Sequence, residues 1–151
     1  MTNEEHKPPE DIWDGLLETG FTQVPTVLFQ KQSELKLHST EVIILLNLVS
    51  HWWTKDSLPY PRPAQIAKRI GVDSRTVQRK IRGLQSRGFI KKMPSEKLPN
   101  KQTVTRYDPS GLIKKLKEHA MPLIEFRRQK REESAQNRGN RNKEVFHAET
   151  K

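Results

Sequence analysis

Between Pro61 and Tyr107 the sequence PRPAQIAKRIGVDSRTVQRKIRGLQSRGFIKKMPSEKLPNKQTVTRY permits few folds. Ile66, Ala67 and Ile70 recur at helical spacing, Gly71 and Val72 break the pattern, and Val77, Ile81 and Leu84 resume it at steps of four and three. Two short helices joined by a tight turn follow from that spacing. Pro63 suits a first helical turn, because its fixed φ fits and its missing amide has no partner there. Small Ala67 permits a close, steep crossing. Gly71 supplies the positive φ that ends the first helix, Val72 plugs the corner, and Asp73 is placed to cap the second. Gly88 stops that second helix. Phe89–Met93 and Thr103–Tyr107 then read as two strands joined by a loop over 94–102, with Ile90 as a further core residue.

The charges lie on the other side of this pattern. Ten bases (Arg62, Lys68, Arg69, Arg75, Arg79, Lys80, Arg82, Arg87, Lys91, Lys92) face a single acid, Asp73, between residues 62 and 92. A module that buries one face and presents such a surplus on the other is built to lie against a polyanion, of which duplex DNA is the best candidate. The outward set of the second helix is Ser74, Arg75, Thr76, Gln78, Arg79 and Arg82. Arg reads guanine edges bidentately and Gln reads adenine edges in a major groove that admits one helix. Gln78, Arg75 and Arg79 are therefore the first choices for base contacts, and Arg82 and Lys80 for phosphates. Thr76 and the helix N-terminus also suit phosphate. A charge run more often only solvates an exposed helix, but such helices mix signs, and this one carries no acid after its cap. Lys91, Lys92, Lys97, Lys101 and Arg106 on the hairpin could straddle phosphates or reach the minor groove. The competing view is an ordinary solvated hairpin with protective edge lysines.

The rest of the chain frames this module. At 151 residues, with 32% apolar and 30% charged, there is room for one domain with tails. The net charge of +10 is uneven, since residues 1–20 hold six acids and one base. That acidic stretch should be flexible, apart from one docking turn through Ile12, Trp13, Leu16 and Leu17. A central core helix is expected from Ser39, read as its N-cap, through Val42, Ile43, Leu45, Leu46, Leu48, Val49 and Trp52. Lys55–Pro61 is a loop. Asp108 should cap a later helix that begins at Pro109, carries Leu112, Ile113, Leu116 and Ala120 on one face, and is interrupted at Pro122. Its stripe, continued by Met121, Leu123, Ile124 and Phe126, either packs back on the core and Trp52–Trp53 or makes a homodimer contact within 109–126. Residues 127–151, with eight bases and four acids, should be mostly disordered and add nonspecific DNA affinity.

The fold expected is mainly α, a winged helix–turn–helix over 21–126 with a small β-hairpin wing and disordered tails at 1–20 and 127–151. The pattern resembles the winged helix–turn–helix domains of bacterial regulators and of plasmid and phage replication proteins. The resemblance covers Phe21–Ala120 and rests on the Val24-Pro25 stretch, Ile66-Ala67-Lys68-Arg69-Ile70-Gly71-Val72, Arg75-Thr76-Val77-Gln78-Arg79, and Tyr107–Ile113. It implies that Ser74, Arg75, Thr76, Gln78 and Arg79 lie on a recognition helix. Arg62 departs from it, standing where many relatives carry a capping Ser and adding a further phosphate contact instead.

Catalysis is not expected. The five histidines lack metal-ligand spacing with acids, there is no glycine-rich phosphate loop, and no nucleophile has a base nearby. Tyr60 and Trp52–Trp53 do not make a single-strand stacking platform without a sheet or barrel beneath them. No cofactor or metal is expected. The absence of cysteine fits a reducing cytosol, the acidic start is unlike a signal peptide, and no apolar run suits a bilayer, so a cytoplasmic, nucleoid- or plasmid-associated protein is expected. Three roles remain open: a sequence-specific transcriptional regulator of a plasmid, phage or other mobile element, a replication or partition factor at an origin or repeat array, and a protein-interaction module on the same fold.

Overall fold

The computed structural model describes residues 10–149. In chain order it holds α1 (Glu10–Trp13), a 3₁₀ turn (Leu16–Thr19), α2 (Val27–Gln30), α3 (Ser39–Val49), α4 (Pro63–Ile70), α5 (Ser74–Ser86), four two-residue strands and α6 (Ser110–Glu149). The strands are β1 (Lys91–Lys92), β2 (Glu96–Lys97), β3 (Thr103–Val104) and β4 (Tyr107–Asp108). Most of the expected core is observed, although Val72, expected to plug the corner after α4, is exposed: Ile44, Leu45, Leu48, Ile66, Val77 and Leu84 are completely enclosed, with Ile81, Phe89, Ile90, Leu112 and Leu116 around them. Ile43, expected inside, is exposed, and Ile44 takes the inward position on α3.

Local chemistry sets the helix ends. Gly71 has φ 73°, and both its N–H and that of Val72 bond to the Ala67 carbonyl, closing α4. Asp73 accepts from the Thr76 N–H at 2.8 Å and from the Thr76 hydroxyl at 2.7 Å, so the first turn of α5 is capped twice. These two bonds, the hydroxyl one first, hold the Asp73 carboxyl below its usual pKa. At α4 the Arg62 N–H donates to Gln65 Oε1 at 3.1 Å, half of a capping box that needs no Ser at Arg62. Ser39 is not the N-cap of α3. His38 holds that position in extended conformation with no side-chain bond, and Ser39 is the first helical residue.

The wing is a single excursion broken in two. β1 pairs with β4 (Lys91 opposite Asp108, Lys92 opposite Tyr107), and β2 pairs with β3 (Glu96 opposite Val104, Lys97 opposite Thr103). The gap falls at Pro94, which has no ladder N–H to give. Pairing therefore reaches farther toward the tip than expected, leaving a tight turn in which Lys101 takes φ 64°.

Asp108 accepts from the Ser110 N–H at 2.9 Å and so caps α6 as expected. The helix then departs from expectation twice. Pro122 lies inside it and does not end it. The one hydrogen bond that Pro122 cannot donate would go to Glu118, which is exposed, so water can take its place. The expected disorder of 127–151 is also not observed, since α6 runs on to Glu149. Residues 127–138 are mostly Arg, Lys, Gln, Glu and Ala, all good helix formers, and Arg128 pairs with Glu132 at 3.3 Å. Residues 1–9 and 150–151 of the two expected tails lie outside the described residues.

Gly111 fixes how α6 meets the body. A Cβ there would overlap the Gly88 carbonyl oxygen and lie 2.9 Å from that of Phe89. The close approach lets the Leu112 N–H bond to the Phe89 carbonyl at 2.8 Å. Gly111→Ala should destabilise the fold by about 1–3 kcal/mol through overpacking against rigid backbone. Urea unfolding beside Ser110→Ala, at an exposed neighbour, measures this; equal stability of the two variants would contradict it.

Because the folded pKa of Asp73 is depressed, its cap stabilises above the ordinary carboxylate pKa and is lost as pH falls through the folded value. Asp73→Ser keeps a capping oxygen but removes the titration. Acidification should therefore lower the melting temperature of the parent protein more than that of Asp73→Ser, and parallel curves would show that Asp73 does not titrate with folding.

Candidate nucleic-acid interface

The outward side of α5 is set by what its inward side must do. Val77, Ile81 and Leu84 are buried, which leaves Arg75, Gln78, Arg79 and Arg82 exposed on the opposite side. Gln78 lies one turn after Ser74, its amide 3.4 Å from the Ser74 hydroxyl. Between α5 and the wing runs a groove of about 420 Å³, open to solvent. Arg62 from the start of α4, Gln78 and Arg82 from α5, and Lys92 from β1 all line it. Lys91 points to the other side of the hairpin, as strand alternation requires. Lys97 is exposed on β2, and Lys101 is exposed at the hairpin turn.

Three of the expected contact residues are engaged elsewhere. Lys80 is half-buried, with Nζ 3.7 Å from Glu41, on the flank of α5 that faces α3. The hydroxyl proton of Thr76 is committed to Asp73. Arg106 is ion-paired with Glu96, donates to the Leu58 carbonyl at 2.8 Å, and lies over the Tyr60 ring at 4.7 Å. It anchors the wing to the 58–60 segment, and the Tyr107 N–H reinforces the anchor by donating to the Pro59 carbonyl at 2.9 Å. Arg87, counted in the basic run, is likewise internal. It bonds to Glu41 at 2.7 Å and to the Lys36 carbonyl at 2.7 Å, and lies over Phe89 at 5.0 Å.

Conversely, Tyr60, Gln85, Thr103 and Thr105 line the groove without having been singled out for it. The available signal was Pro59-Tyr60-Pro61, which holds the tyrosine in extended backbone where its ring cannot retreat into a helix. The apolar stripe of α6 divides. Leu112 and Leu116 are buried on the body, Ile113 and Met121 line a hollow with Trp52 and Leu58, and Ile124 and Phe126 are exposed. Trp53 is 82% exposed, so of the tryptophan pair only Trp52 meets the α6 stripe.

Among the described residues no group of His, Asp or Glu is placed to hold a metal ion, and no helix is long and apolar enough to cross a membrane.

Comparison with solved structures agrees with this architecture. The crystal structure of the N-terminal domain of DnaD protein from Geobacillus kaustophilus HTA426 superposes with a TM-score of 0.54, at 22% identity, covering 82% of this chain and 99% of that one. The crystal structure of MarR overlaps more loosely, with a TM-score of 0.38 at 22% identity over 78% of this chain and 81% of that one, too loosely to bear on the site. A search of curated proteins finds no match. The model of the DnaD N-terminal domain matches residues 24–129, from the segment before α2 through the first half of α6. The chain belongs to the DnaD N-terminal domain family.

Proposed function

We propose that this chain is a double-stranded DNA-binding module, with a binding rather than a catalytic role, which lays α5 in the major groove and the wing beside it. The observation that carries this reading is the convergence of Arg62, Gln78, Arg82 and Lys92 on one groove, flanked by exposed Arg75 and Arg79. Asp73 is the one acid on α5 and its cap, and its charge is spent on the helix end. Arg75, Gln78 and Arg79 carry base contacts. Arg62, Ser74, Arg82, Lys92, Lys97 and Lys101 carry phosphate contacts, and Lys91, on the other side of the hairpin, does not. Membership of the DnaD N-terminal domain family favours action in DNA replication, at an origin or repeat array, over transcriptional regulation.

The test starts from a duplex selected out of a random library by the full chain. Gln78→Ala and Arg79→Ala remove no core contact and should leave stability within about 0.5 kcal/mol. Each should cost about 1–3 kcal/mol on the selected duplex and flatten discrimination at one base pair. Lys97→Ala should weaken selected and scrambled duplexes alike. Equal losses on both duplexes for Gln78 and Arg79 would show that α5 grips phosphate and that sequence is read elsewhere. Failure of every variant to change binding would remove α5 and the wing from the interface.

A further inference from the structure

α6 is 40 residues long, about 60 Å of helix, and its second half is exposed throughout the residues whose side chains are described. At about 100° per residue, Arg127, Lys130, Arg131, Arg138 and Arg141 fall within a single arc of about 100°. Glu125, Glu132 and Glu133 all lie outside that arc, as do Arg128 and Lys143. The arc is the same one that carries Leu112, Leu116 and Leu123 in the first half. One face of one helix is thus apolar where it lies on the body and cationic beyond it.

The stripe has its own spacing. Arg127, Lys130 and Arg131 form one cluster, and Arg138 and Arg141 form a second. From Arg131 to Arg138 is about 10 Å along the axis. Only Ser134 occupies the arc between the clusters, with Asn137 at its edge, so nothing bulky separates them. That gap is close to the ~12 Å width of the DNA major groove, so the two clusters can meet phosphates on its opposite walls. A protein partner would need an apolar centre to desolvate, and the arc holds no apolar residue between 127 and 141. A phosphate backbone needs only matched charge.

We propose that residues 127–141 of α6 form a second, sequence-independent DNA-binding surface, separate from α5 and the wing, which straddles the phosphates of a duplex through Arg127, Lys130, Arg138 and Arg141. The choice of duplex DNA as its ligand rests on the function proposed above; the cationic stripe does not. The surface holds duplex without reading it, so the chain grips DNA outside the recognised site.

The experiment compares three full-length proteins on a random 30-base-pair duplex across a salt series. They are the parent, the stripe variant Arg127→Gln/Lys130→Gln/Arg138→Gln/Arg141→Gln, and the off-stripe control Arg128→Gln/Lys143→Gln. With about 0.9 counterion released per phosphate contact, the stripe variant should lose about 3 to 4 units of salt slope, and the control should keep the parent slope. A loss that follows charge number in both variants would overturn the proposal in favour of simple net attraction. An unchanged slope in the stripe variant would overturn it outright. Tighter binding of the parent to single-stranded RNA of equal length would overturn the assignment to duplex DNA. Arg79→Ala in the same series separates the two readings. A stripe effect with no Arg79 effect on the selected duplex sinks the α5 reading alone, and the reverse pattern sinks the stripe alone.

Discussion

The structure turns on a buried carboxylate. Glu41 is 5% exposed, in the first turn of α3, and receives Arg87 at 2.7 Å and Lys80 at 3.7 Å. Arg87 also donates to the carbonyls of Leu35 and Lys36 in the segment before α3. The two cations leave α5 two turns apart, so a single anion fixes both the position of that helix and its rotation about its own axis. The carboxylate is buried while both cations keep partial access to water, so loss of the cations would strand the Glu41 charge, whereas loss of Glu41 would leave them partly hydrated. Rotation decides which side chains of α5 face solvent. With Lys80 and Arg87 held inward, Arg75, Gln78, Arg79 and Arg82 must face out.

The same arrangement explains what could and could not be read from the sequence. The helices α4 and α5, their glycine stop, the Asp73 cap and the hairpin were legible because each is written within a few residues. The destinations of Lys80, Arg87 and Arg106 were not. Glu41 and Arg87 are 46 residues apart, as are the chain segments that bring Arg106 to Leu58 within two. A local charge count cannot distinguish a cation that meets a distant acid from one that meets solvent. Thr76 was ambiguous for a different reason, since a hydroxyl three residues after a capping Asp can serve the cap or a ligand equally well in the sequence, and here it bonds to the cap.

The tail was misjudged on composition, and Pro122 on the local cost of proline in a helix. Low apolarity and high charge argue that a segment cannot form its own core, and residues 127–149 form none. They need none while they extend a helix already nucleated at Ser110 and held by Leu112 and Leu116, because propagation adds a hydrogen bond per residue without a new nucleus.

Gly111 gives that rod a mechanical role. The backbone of α6 touches that of Gly88 and Phe89, the residues that follow α5, with no side chain between them to yield. Arg87 and Lys115 also lie over the Phe89 ring, at 5.0 and 5.1 Å from its centroid. A force applied far along α6 therefore acts on a lever whose short end bears directly on the residues that end α5. A tilt of the rod at that contact is resisted by backbone alone.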